Sequence, residues 1–277
     1  MVSRASVLAF IAITLVAAPC ALAITDTDIL NFALNLEYLE ASFYSYAARG
    51  VGLDSDLTGS GPEVIGGEKA NLTEKGQFFA EALAVDEINH VRLLRSVLGD
   101  AAVPIPAIDL GPAFAAAANA ALNLTLDPPF TPYANDLFFY HGAFIFEDVG
   151  VTAYLGALPS ISDTTYVPTA AGIAAVEAYH AGAVRAFLLG DIDTVTPYGV
   201  PVSTIVDAIA ALRETVQGEP VDAFDLGGSE SAPLFVPASA NTSVAFSRDP
   251  SQILAVVYLG GTDKGGFFPE GLNGNIK

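Results

Sequence analysis

Cysteine is almost absent: the chain has one, Cys20, inside an apolar N-terminal stretch. A mature chain without that stretch has no thiol, which excludes disulfide cross-links and thiol chemistry. Positive charge is nearly as scarce, with 11 Lys and Arg against 31 Asp and Glu and a formal net charge of −20. No basic patch offsets this, so nucleic acid and anionic membrane surfaces are excluded as partners, and cations are the natural small ones. Tryptophan is missing, and there are only three histidines, His90, His141 and His180. Charged residues make up 15% of the chain and hydrophobic ones 52%, so stability must come from an extensive apolar core.

Residues 1–23 read as a secretory signal peptide. Arg4 precedes an apolar run, Val7 to Ala18, broken only by Thr14, and Ala21-Leu22-Ala23 is a small-x-small cleavage site. The run is too short to span a bilayer, so after cleavage no membrane segment is expected. The predicted location is extracellular, in the cell wall or matrix. Three N-x-S/T triplets, at Asn71, Asn123 and Asn241, are then candidate glycosylation sites on surface loops.

Apolar periodicity predicts helices over about Asp26–Ala48, Leu72–Leu98, Ala134–Leu158, from just after Pro168 to Gly190, and Val202–Val216, the last capped near Ser203. Residues Gly50 to Gly67 read as a loop. The crossover from Asp100 to Tyr133 carries six prolines and a short alanine-rich helix, Ala113–Leu122. Beyond Glu219 the chain is rich in Gly, Ser and Pro, with one short helix predicted over Pro250–Leu259. The division expected is a leader (1–23), an all-α bundle (24–217) and an irregular segment (218–277) that wraps the bundle or serves as an accessory. Two helices, one long crossover and two more helices form a four-helix bundle, here with a fifth helix added.

Two of the three histidines follow a glutamate by three residues, as Glu87-x-x-His90 and Glu177-x-x-His180. Helical spacing of three points both side chains of each pair the same way. Each pair sits on an apolar stripe: Ala80, Leu83, Ala84, Val91 and Leu94 surround Glu87, and Ala170, Ile173, Ala174, Ala181 and Val184 surround Glu177. Glu147 lies among Tyr140, Ala143, Phe144, Val151 and Tyr154, and Glu37 among Leu30, Ala33, Leu34, Ala41 and Tyr44. Four long helices thus each bury one carboxylate. Unpaired buried carboxylates cost several kcal/mol each and repel one another. The basic residue nearest in sequence, Arg92, points elsewhere by its spacing. Two divalent ions balance four carboxylates, and the two imidazoles complete the ligand set. A glutamate from each of two helices and a Glu-x-x-His from each of the other two is the dinuclear carboxylate pattern, suited to two Fe or Mn ions, with Zn also able to bind.

Around these six ligands other assignments stay open. Glu40, one turn from Glu37, is the alternative ligand; Glu37 is preferred because Tyr44 follows it by seven residues, as Tyr154 follows Glu147. Asp86 is either an exposed acid or the group that orients a ligating imidazole. Tyr44, Tyr154 and Tyr179 either line the site or pack the core. Asp148 has weaker claims. His141, six residues before Glu147 and off its face, reads as a surface or contact residue of its helix.

The segments Glu37-Tyr38-Leu39-Glu40-Ala41-Ser42-Phe43-Tyr44 and Asp86-Glu87-Ile88-Asn89-His90 resemble the first two helices of ferritin-like proteins. More narrowly, Leu34-Asn35-Leu36-Glu37-Tyr38-Leu39-Glu40-Ala41, Glu147-Asp148-Val149-Gly150-Val151 and Gly265-Gly266-Phe267-Phe268-Pro269-Glu270-Gly271 resemble the desiccation-related proteins of plants, algae and some microbes. That resemblance runs from about Asp26 to Ile276. It implies a ferritin-like domain in an exported protein associated with drying stress, and no particular reaction. Two functions are therefore expected to compete. One is a redox centre acting on peroxide, oxygen, superoxide or ferrous ions. The other is a non-enzymatic wall or matrix protein that self-associates or binds a matrix partner. Iron storage in a closed shell is disfavoured by the long crossover and the large tail.

Overall fold

A computed structural model describes residues 24–218, 236–239 and 241–277. The signal peptide read in residues 1–23, with Cys20, lies outside the described residues, as does the stretch 219–235. The described residues form eight α-helices: α1 (Asp26–Arg49), α2 (Ser55–Thr58), α3 (Glu74–Leu98), α4 (Pro112–Leu122), α5 (Asp136–Ala157), α6 (Val167–Gly190), α7 (Val202–Gln217) and α8 (Pro250–Val257). Among the described residues the only β-structure is a few isolated bridges. No helix there is long and apolar enough to cross a membrane.

Most helix ends follow from local chemistry. The Thr25 hydroxyl and the Asp28 carboxylate close a capping box on α1, Thr73 caps α3, and Asn135 caps α5. Asp249 and Gln252 form a second capping box on α8. One start differs from expectation: α7 begins after Pro201 with no side-chain cap, so Ser203 lies inside the helix. The loop after α1 also folds into the single turn of α2, which buries Leu57 against the bundle.

Helices α1 and α3 run antiparallel. Arg49 at the end of α1 donates to Glu81 near the start of α3, and Asn31 near the start of α1 donates to Ala101 O just past the end of α3. Helices α5 and α6 form the other antiparallel pair, with Tyr140 stacked on Phe187 at 4.7 Å. Phe79 of α3 meets the same Phe187 edge-on at 4.9 Å, joining the two pairs at one end of the bundle. Helix α1 is buried on nearly every side, because α3, α5, the α2 loop and the C-terminal segment all cover it.

The crossover and the tail complete the core. Phe114 of α4 packs at 5.3 Å on Phe43 and at 5.0 Å on Phe267, which also meets Phe146 at 4.9 Å. Asn35 of α1 exchanges hydrogen bonds with the backbone of Asn273, at 2.8 and 3.0 Å. Helix α8 lies on α7 and α5. At Gly156 of α5 a Cβ would come within 1.9 Å of Arg248 O, so only glycine allows the returning chain to lie that close. The described part of the C-terminal segment is thus woven into the core.

Candidate metal centre

The four glutamates and two histidines singled out in the sequence converge inside the bundle. Glu37, Glu87, Glu147 and Glu177 are at most 2% exposed, and His90 and His180 are each 7% exposed. Helix α3 supplies Glu87 and His90, α6 supplies Glu177 and His180, and α1 and α5 face each other with Glu37 and Glu147. The α3/α6 faces deliver both imidazoles through Nδ1. His90 Nδ1 lies 3.0 Å from Glu87 Oε2, 3.2 Å from Glu37 Oε2 and 3.6 Å from Glu177 Oε1. His180 Nδ1 lies 3.0 Å from Glu87 Oε1 and 3.5 Å from Glu147 Oε2. Glu87 therefore turns one oxygen to each imidazole and spans the two halves of the cluster.

Three overlapping sets of donor atoms each fall within 4.8 Å of one another: Glu37, Glu87, His90 and Glu177; Glu87, Glu147 and His180; and Glu40, Glu147 and Glu177. The third set brings Glu40, 5% exposed, into the chamber alongside Glu37 rather than in place of it. Only Glu37 of the two shares a set with an imidazole, and Glu40 sits at the opposite margin, against Glu147 and Glu177.

The tyrosines connect the helices crosswise. Tyr44 of α1 donates to Glu147 of α5, and Tyr154 of α5 donates to Glu37 of α1. The Glu-to-Tyr spacing of seven visible in both helices thus marks two reciprocal interhelical bonds rather than a partner within each helix. Tyr179 is 78% exposed and takes no part. Asp86 Oδ2 lies 3.1 Å from His180 Nε2, so it fixes the ring with Nδ1 turned inward. His141 is 1% exposed, a buried contact residue rather than a surface one. Its Nδ1 donates to Leu137 O at 2.8 Å, well outside the three donor sets.

A second buried cluster had no counterpart in the sequence reading. Asp148, next to Glu147, accepts from Arg185 Nε at 2.9 Å and Nη2 at 2.6 Å, and from Arg213 Nη2 at 3.3 Å. All three side chains are at most 3% exposed. The available signal was a cation within an apolar stripe: Ile209, Ala210 and Val216 share a face with Arg213. The same test that singled out the glutamates would have marked Arg213 as a buried cation, though not its partner.

Burial dominates the electrostatics of the chamber. It raises Glu37 to about 7 against the pull of His90. Burial and the neighbouring carboxylates hold Glu40 and Glu177 well above the usual carboxylate range. Glu87 goes the other way: hydrogen bonds from His180 and His90 overcome its burial and bring it to about 2. Burial opposes charge on the imidazoles, but Glu37 and Glu87 push His90 up to about 11, and Glu147 and Glu87 push His180 up to about 12. Protons therefore sit on the imidazoles and the raised carboxylates, and Glu87 stays charged, when protons alone must balance the charge.

The residues fit bound metal. Four buried carboxylate oxygens of the cluster have no hydrogen-bond partner, Glu40 Oε2, Glu147 Oε2 and both of Glu177, while Glu87 Oε1 and His180 Nδ1 have only their 3.0 Å contact with each other. Buried polar atoms are rarely left so, and a whole set of them facing one chamber is what metal coordination would satisfy. Carboxylate oxygens with one imidazole for each half suit Fe or Mn. Gly150 of α5 completes the chamber wall, since a Cβ there would come within 2.4 Å of Glu177 Oε2.

Comparison with known proteins agrees with this geometry. Residues 25–190 match the ferritin-like domain. The chain is 35% identical over 241 residues to the desiccation-related protein PCC13-62 of Craterostigma plantagineum, covering 83% of this chain and 76% of that one. It is 33% identical over 266 residues to the ferritin-like catalase Nec2 of Nesocodon mauritianus, covering 91% of this chain and 84% of that one. No solved structure matches the chain significantly. The helical order, the domain match and these two relatives together show that the chain belongs to the ferritin-like family.

Proposed function

We propose that this protein is an exported, dinuclear Fe or Mn protein that consumes hydrogen peroxide. The observation that carries the reading is Glu87, whose two oxygens each face a different imidazole in a chamber of unpartnered carboxylate oxygens. Glu37, Glu87 and His90 would hold one ion and Glu147, Glu87 and His180 the other, with Glu177 reaching both halves. A bound pair of such ions supplies two-electron redox chemistry, converting two H₂O₂ to two H₂O and one O₂ without any outside reductant.

The chain's own residues set the conditions for that reaction. Tyr154 and Tyr44 pin the Glu37 and Glu147 carboxylates, and Asp86 aims His180. The carbon-lined walls, with Leu34, Leu83, Ala84, Phe144 and Val184 at most 1% exposed, restrict access to small molecules. Glu40 Oε2, buried and without a partner beside Glu147 and Glu177, is placed to hold a proton. The name of the relative from Nesocodon mauritianus, a ferritin-like catalase, supports peroxide as substrate, and that of the relative from Craterostigma plantagineum supports a role in drying stress.

Protein isolated from its native source should carry about two Fe or Mn per chain, begin at Ile24, and release one O₂ for every two H₂O₂ consumed. Glycans are expected at Asn71, Asn123 and Asn241, all exposed in the fold. Metal-loaded protein that leaves peroxide untouched would overturn the reading and favour a scaffold of the wall or matrix. Protein that stays metal-free, with undiminished thermal stability, would overturn the metal centre itself.

A further inference from the structure

A second cavity lies away from the metal centre, between α4, α5, α7 and α8. On α5 it is bordered by Phe138, His141 and Ile145, a face turned away from Glu147. Small side chains open it: Ala117, Ala118 and Ala121 of α4 leave a slot against Ile209 of α7. The slot has about 50 Å³ for the centres of water-sized spheres, where one water needs roughly 10–15 Å³. Its lining is almost wholly carbon, so water gains few hydrogen bonds there.

Arg213, held by Asp148 and Phe144 O, and Tyr198 also stand in the wall, and beside them His141 is left with an unexplained atom. His141 Nε2 is buried and has no hydrogen-bond partner. The other ring nitrogen is committed, because Leu137 O can only accept and Nδ1 must therefore donate to it. Burial also holds the ring neutral, lowering His141 to about 4. A neutral imidazole protonated at Nδ1 has an acceptor at Nε2. The missing partner is thus a donor, and the apolar surroundings disfavour a charged one.

We propose that this slot binds a small, uncharged, largely apolar molecule whose single hydroxyl donates to His141 Nε2. His141 borders the slot, so a hydroxyl held there lies beside its ring. Apolar burial supplies attraction and the hydroxyl supplies selection, the usual division of labour in small-molecule pockets.

The test uses the full mature chain and two fluorescent probes of nearly equal shape, 2-naphthol and 2-methoxynaphthalene. The first should bind at least about tenfold more tightly than the second, since the ether lacks the proton that Nε2 accepts. His141→Phe should erase that preference while the ether still binds. Ala121→Phe, which fills the slot, should abolish binding of both, with peroxide turnover and metal content unchanged. Failure of both probes to bind the wild-type chain overturns the proposal, as does binding that survives Ala121→Phe in a folded variant. Equal affinities for the two probes in the wild-type chain overturn the role of His141, and that measurement needs no variant to fold.

Discussion

At the scale of single residues, the centre depends on what each ligand's remaining atoms touch. Tyr44 and Tyr154 hold Glu147 and Glu37 through mirror-related bonds. Tyr44→Phe and Tyr154→Phe should therefore weaken metal binding to a similar degree, about 10–100-fold each, as measured by chelator competition. Loss at only one of the two would mean that the halves are not equivalent. Asp86 is different, because its carboxylate is 47% exposed and still reaches His180. Sequence alone left open whether Asp86 was a solvated acid or an orienting group, since its helical position fits both. The choice between Glu37 and Glu40 was equally local in appearance, yet the fold uses both carboxylates. Glu40 reaches the chamber because it lies one turn further along the same buried face, which spacing permits but cannot require.

At the scale of elements, Gly150 is informative. A glycine inside α5 weakens the helix by up to about 1 kcal/mol relative to alanine, so helix propensity alone favours Gly150→Ala. The new methyl would instead meet Glu177 Oε2 at 2.4 Å. Gly150→Ala should lower metal content and bring no gain in melting temperature, which metal analysis and calorimetry on the same sample can check. Asp148, Arg185 and Arg213 join α5, α6 and α7 in the same way, through charge rather than packing. Asp148→Asn would remove a buried charged partner from two guanidiniums, and a loss of about 3–5 kcal/mol in denaturant unfolding is expected. The helices themselves were legible, because caps and apolar stripes act within a few residues. The partnership of Asp148 with two arginines 37 and 65 positions away was not, because nothing local encodes it.

At the scale of the whole molecule, protons tie stability to solution conditions, and bound metal would do the same. His141 is neutral in the fold, lowered to about 4 from an ordinary 6.5. Below pH 6.5 the unfolded chain binds a proton that the folded one refuses, so the stability conferred by the neutral ring is complete above that pH. It is lost as pH falls from about 6.5 toward 4, by up to about 3 kcal/mol. A His141→Gln variant should show a flatter stability profile across that window in denaturant titrations. Chelation acts on the opposite side of the bundle. Stripping the ions would leave five carboxylates facing one another, to be balanced only by protons, and should lower the melting temperature by several degrees.

The sequence by itself determined the helical class, the single crossover and six of the seven side chains that converge on the chamber. It could do so because amphipathic periodicity is local, and because an acid on an apolar stripe stands out against so few charges. The tertiary structure decided what depends on distant parts of the chain meeting. Two tyrosines cross between α1 and α5, Glu40 joins the chamber, and the tail enters the core through Phe267 and Asn273. Tight packing of four helices sets those distances, and no spacing along one helix records them. For the metal centre, pattern supplied the residue types and their face. The fold supplied the direction of each oxygen, including the two of Glu87 that turn to separate imidazoles.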